Sequence, residues 1–133
     1  MRDLHQRLAC AASINIAARA STVNGSGVDL QGYDGALVAV VVGAWAGNQG
    51  TWAITLEDSP NNSTFTAVAA GDRVGSNITM SGFVNRAGGA SLEQSYVGTQ
   101  RYLRAVATLT GGGTNCTFGV IIVRGYPRVA PST

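Results

Sequence analysis

Residues able to do chemistry are scarce in this sequence, and their spacing argues against catalysis. His5 is the single histidine, and the two cysteines, Cys10 and Cys116, lie far apart with no Cys-x-x-Cys spacing. A Cys–His nucleophile needs a third group to orient the imidazole, and the sequence places none beside His5. One histidine and two separated thiols do not make a zinc site of the usual ligand spacing. The seven acidic residues are Asp3, Asp29, Asp34, Glu57, Asp58, Asp72 and Glu93. A glycosidase needs two carboxylates facing each other across a cleft. Glu57 and Asp58 are neighbours, so on a strand they point to opposite faces. Asp29 and Asp34 flank a glycine turn and read as acceptors of backbone N–H groups rather than calcium ligands. No catalytic residue, metal or cofactor is expected.

Gly111, Gly112 and Gly113 lack the Lys-Ser/Thr and helix start that a phosphate-binding loop requires. Asn24, Asn61, Asn62, Asn77 and Asn115 each open an Asn-x-Ser/Thr triplet, which without a secretory signal is turn and strand chemistry. Leu8-Ala9-Cys10-Ala11 has the look of a lipoprotein cleavage box. Arg2, Asp3, His5 and Arg7 stand where its apolar signal core would have to be, so lipidation and secretion are not expected. The cysteines leave a long-range disulfide and free thiols both open, with buried free thiols favoured.

The elements that would position any site are strands. Arg101–Tyr126 holds two apolar, β-branched runs on either side of the three glycines and predicts a β-hairpin. Leu103, Ala105, Ala107 and Leu109 share one face of its first strand, while Phe118–Val123 is nearly all apolar and reads as a strand covered on both faces. Ala36–Val42 predicts a second strand of that doubly covered kind. Thr51–Glu57 alternates, with Trp52, Ile54 and Leu56 on one face, and Asp58–Asn62 turns it back into Ser63–Val68 as a second hairpin. Further strands are expected within Ser13–Val23, Ile78–Val84 and Leu92–Val97, with a helical turn at Ala70–Arg73. Tyr33 and Trp45 fall in predicted loops, where aromatic rings are able to stack on sugars. A core or interface role is the commoner use of a tryptophan in such folds.

The expected fold is a single-domain all-β sandwich or jelly roll of about eight short strands. Residues 1–12 form an N-terminal arm that is either one helical turn or extended, residues 13–124 the sandwich, and residues 125–133 a tail in which Pro127 and Pro131 bar regular pairing. At 133 residues the chain buries enough surface to fold without a metal or disulfide. Charged residues are 12% of the chain, about half the usual share, and all nine basic residues are arginine. Arginine is favoured over lysine at protein interfaces, although codon usage is the favoured explanation of the bias. A lightly charged, glycine-rich β domain tends to self-associate, which predicts a dimer or trimer. The net charge of +2 with scattered arginines gives no footprint for nucleic acid, and no run is long enough for a membrane helix.

Several segments carry a resemblance. VDLQGYDGALVAVVVG (Val28–Gly43), TLEDSPNNSTFTAVAAGD (Thr55–Asp72), YVGTQRYLRAVATLTGG (Tyr96–Gly112) and the closing VRGYPRVAP (Val123–Pro131) resemble a class of small tailed-bacteriophage virion proteins. The likeness spans about Val28–Pro131 and is less distinct before it. It implies a non-enzymatic structural protein, made in the host cytoplasm and located on the capsid surface of the virion. It also implies the major capsid protein as partner, bound from outside to cement neighbouring subunits. The arms would supply the contacts, with Leu4, Arg7, Leu8, Tyr126, Arg128 and Val129 as candidates. Alternatives are a tail, neck or fibre-associated module, or a carbohydrate-binding adhesion module using Trp45 and Tyr33.

Overall fold

The computed structural model describes residues 4–46, 50–75, 78–81, 92–111 and 115–127. The eleven strands described there form two antiparallel sheets, so the fold is an all-β sandwich. The first sheet contains β1 (Leu8–Arg19), β4 (Tyr33–Ala46), β7 (Arg73–Val74), β9 (Glu93–Tyr96) and β11 (Asn115–Pro127). Its order is β1-β11-β4-β9-β7. The second is built on β5 (Thr51–Ser59) and β10 (Tyr102–Thr110), paired without a break from Tyr102↔Ser59 to Thr110↔Thr51. Short strands β2 (Val23–Asn24) and β3 (Val28–Asp29) share the free edge of β10. β6 (Thr66–Ala67) and β8 (Ile78–Ser81) share that of β5. The expected helical turn is a 3-10 turn at Ala70–Asp72.

The alternation read from sequence sets the faces. Leu103, Ala105 and Ala107 of β10 and Trp52, Ile54 and Leu56 of β5 are buried, facing Phe118, Val120 and Ile122 of β11 and Val38 and Val40 of β4. Trp52 meets Phe118 edge-on, with ring centroids 4.9 Å apart at 62°, the geometry aromatic quadrupoles favour. The second hairpin forms through Glu57↔Ala67 and Asp58↔Thr66, but β5 runs on to Ser59 and the return strand is only Thr66–Ala67. The return is short because Asn61 Oδ1 accepts from the Ser63 and Thr64 N–H groups and holds that stretch in a turn.

The first hairpin does not form. β10 pairs with β5, whereas β11 lies in the other sheet between β1 and β4. Gly111, at φ +87°, begins a connection that carries the chain across the sandwich from one layer to the other. Crossing sets the apolar faces of the two strands against each other, where a hairpin would leave both on one side of a single sheet. β4 and β5 are split between the layers in the same way.

Neither long apolar run is covered on both sides. In β4 the side chain of Val38 is wholly buried, but Val41 on the opposite face is 46% exposed. In β11, Ile121 and Val123 are only half-buried on the face away from the core. These runs lie at the middle of a two-layer sandwich, so only one face meets the second layer.

β1 has register shifts between Ala12 and Ile14 and between Ile14 and Ala17. Its bulged backbone leans over Gly119, where a Cβ would stand 3.0 Å from the Ile16 nitrogen and 3.1 Å from the Ile14 oxygen. The expected N-terminal arm is therefore a turn, closed by Arg7 N–H and Leu8 N–H to the Leu4 carbonyl, followed by a strand from Leu8 onward. At the other end β11 continues through Tyr126 to Pro127, opposite Tyr33. Proline is tolerated there because the pairing with β1 stops at Leu8↔Gly125, so Pro127 faces a partner strand on one side only.

Both cysteines are free, and only Cys116 is buried; Cys10 is exposed on the outer face of β1. Cys10 pairs with Val123 and Cys116 with Arg19. The two thiols thus lie about seven residues apart along β11, roughly 24 Å, beyond disulfide reach. Burial pushes the Cys116 thiol up to about 11. An aromatic disulfide reagent at pH 8 is expected to titrate one thiol in the native protein and two after denaturation. Two rapid equivalents from the native chain would contradict this placement.

Candidate interaction surface at one corner of the sandwich

The start of β1 and the end of β11 meet at one corner of the first sheet, where Leu8 pairs with Gly125. Arg7 and Tyr126, both expected contact residues, line one shallow recess of about 290 Å³ with Gln6, Asp34 and Pro127. Tyr126 is 80% exposed and takes φ +53°, a left-handed conformation uncommon for a residue with a side chain. Its ring lies across Gly35, where a Cβ would stand only 3.2 Å from Cδ2. Leu4 is exposed in the turn before β1, and Leu8 is at the margin of exposure. Arg128 and Val129 lie outside the described residues.

Asp34 also borders a second, larger recess of about 480 Å³ between residues 30–35 and 96–101. One wall is held by an ion pair, in which Arg101 Nη2 and Nε donate to the Asp29 carboxylate at 2.9 and 3.1 Å. That contact with Arg101, aided by the Gln31 N–H, holds the Asp29 carboxyl below its ordinary range. Arg124 donates to the Asp29 carbonyl at 3.2 Å while its guanidinium sits 5.0 Å from the centroid of the Tyr33 ring. The other wall hangs on Tyr96, whose buried hydroxyl donates to Asp58 at 2.8 Å and accepts from the Gln100 N–H at 3.1 Å. Burial, and next the Asp58 carboxylate, drive the Tyr96 hydroxyl far above the ordinary phenol range.

The corner thus offers an exposed tyrosine, guanidinium groups, amide side chains and one shared carboxylate on a rigid strand frame. Such groups recognise a partner through stacking and forked hydrogen bonds. Among the described residues no group of three or more His, Cys, Asp or Glu side chains is placed to hold a metal. Tyr33 and Trp45 are in β4 rather than in loops, at opposite ends of the strand. Twelve residues of strand separate them by roughly 40 Å, so they do not form one stacking platform. The Trp45 side chain lies outside the described residues.

Of the expected contact residues, Arg7, Leu8 and Tyr126 lie at this corner, which also holds Asp34, Tyr33, Arg101 and Arg124, none of them an expected contact. Asp34 carried a signal, since it follows Gly32-Tyr33 in a turn that precedes a strand. The arginines carried none, because strand register alone brings them together.

The sandwich is similar to the crystal structure of the SPBc2 prophage-derived protein YomS. The TM-score is 0.51 at 13% sequence identity, covering 87% of this chain and 92% of that one. Fold is what this likeness shows. No family model matches the chain, and no curated protein matches it by sequence.

Proposed function

We propose that this chain is a non-enzymatic structural protein of a phage particle that binds the outside of the capsid shell and cements neighbouring capsid subunits. The observation that carries the reading is the corner at which Arg7 and Tyr126 share one recess, with Tyr126 80% exposed. Tyr126 stands on β11 and Arg7 in the turn that leads into β1, and tyrosine and arginine are among the residues that most often anchor protein interfaces. The prophage origin of the protein sharing its fold supports the phage setting, as do the segments that resemble small virion proteins. The partner is the major capsid protein, and the site of action is the surface of the virion. Many such contacts repeated over a lattice give avidity even when each is weak.

The decisive experiment is copy number in purified particles, measured by quantitative mass spectrometry against the main shell protein. A ratio near one supports capsid decoration. A few copies per particle would move the protein to the neck, tail or fibre, and complete absence would sink the virion reading. Tyr126→Ala combined with Arg7→Ala is expected to weaken particle binding by at least about tenfold. Both side chains are exposed, so thermal stability should stay within about 0.5 kcal/mol of the parent. Unchanged particle binding by the double variant would remove this corner from the interface.

A further inference from the structure

We infer that the outer face of the β1-β11-β4-β9-β7 sheet is the surface on which a second copy of this chain docks, sheet against sheet. The pairing register writes this face out row by row. Cys10, Val123, Leu37, Ser95 and Val74 run across all five strands. Ala12, Ile121, Ala39 and Glu93 make the next row. Val41 lies one step further along β4 at 46% exposure, and Ile16 stands out from the bulged part of β1 at 62%. Glu93 is the one charged residue in these two rows, and it lies towards the side of the sheet.

An apolar face of this kind is rare on a soluble monomer unless something covers it. Its size points to a second copy. Five strands spaced ~4.8 Å apart, with about eight residues of each long strand in the footprint and every second one facing outward, give roughly 500 Å². Two such faces together bury roughly 1,000 Å², the lower bound of a specific interface. Isologous pairing is suited to a face that carries little charge, because the two-fold axis then sets few like charges against each other. Face-to-face packing of two sheets is also the way this chain builds its own core. The corner with Tyr126 lies at the margin of the face, so a dimer would leave two such corners to act together.

Sedimentation equilibrium on the isolated chain from 1 µM to 1 mM tests this apart from any role in a particle. The expected species at high concentration has twice the 13.6 kDa chain mass, with dissociation in the micromolar range. Val41→Arg and, separately, Ile16→Lys should each weaken the dimer at least tenfold, with circular dichroism and melting unchanged because both positions are exposed. Thr108→Arg, an equal change of charge on the exposed side of β10, should leave it intact. A strict monomer at 1 mM, a trimer, a dimer indifferent to Val41→Arg and Ile16→Lys, or one broken equally by Thr108→Arg would each overturn the inference.

Discussion

Trp52→Ala is expected to cost about 3–5 kcal/mol of folding stability. For a domain of this length that is roughly a 10–20 °C fall in melting temperature. Trp52 is wholly buried on the inner face of β5, with its ring edge-on to Phe118 of β11. It therefore joins the two layers, and truncating it opens a cavity between them that neither sheet is free to fill by itself. Trp52→Phe should cost much less, about 1–2 kcal/mol. Among the described residues the indole N–H has no hydrogen-bond acceptor, so phenylalanine gives up bulk without giving up a polar contact. Thermal and urea unfolding of the two variants measures both effects. A Trp52→Ala cost below about 1 kcal/mol would mean that this ring does not bridge the sheets.

The same tryptophan marks what was legible in the sequence. Thr51–Glu57 alternates so regularly that its buried face, Trp52, Ile54 and Leu56, is readable directly, as is Leu103, Ala105 and Ala107. Alternation reports which way side chains point but not which strand lies alongside. A strand with one apolar face looks identical whether its neighbour in sequence folds back beside it or crosses to the opposite layer. The glycines after Thr110 therefore read as a hairpin turn, although β10 and β11 lie in different sheets. Likewise, an apolar run signals burial on both faces or burial on one and an unpaired surface on the other. Val41 and Val123 belong to the second case, and composition alone does not separate the two.

The corner was half legible for a related reason. Arg7, Leu8 and Tyr126 lie in segments flanking the expected sandwich, and the pairing of Leu8 with Gly125 brings them together. Arg101 and Asp29 are 72 residues apart, and their ion pair depends on Tyr102↔Asp29 register between β10 and β3. Strands of two residues leave no periodic trace in a sequence, so β2 and β3 and what they position were not visible beforehand.

Gly25→Ala is expected to destabilise the fold by about 3 kcal/mol or more, because overpacking here meets backbone that has nowhere to move. Its new Cβ would lie 2.6 Å from the Ala105 carbonyl oxygen and 2.9 Å from that of Ser13. These atoms belong to a junction between the layers. Gly25 N–H donates to the Ala105 carbonyl and Ser26 N–H to that of Ser13. The buried Ser13 hydroxyl donates to the Ser26 carbonyl and accepts from the Ala105 N–H, both at 2.9 Å. Ser13→Ala should cost about 1–3 kcal/mol, since it leaves the Ala105 N–H buried without its acceptor. The double variant should be less unstable than the sum of the two singles. The Ser13 hydroxyl is one of the atoms the new Cβ strikes, so its removal relieves part of the clash. Urea unfolding of all four proteins closes this cycle. Strict additivity would show that the two changes act independently and that the clash at Gly25 is not with the Ser13 hydroxyl.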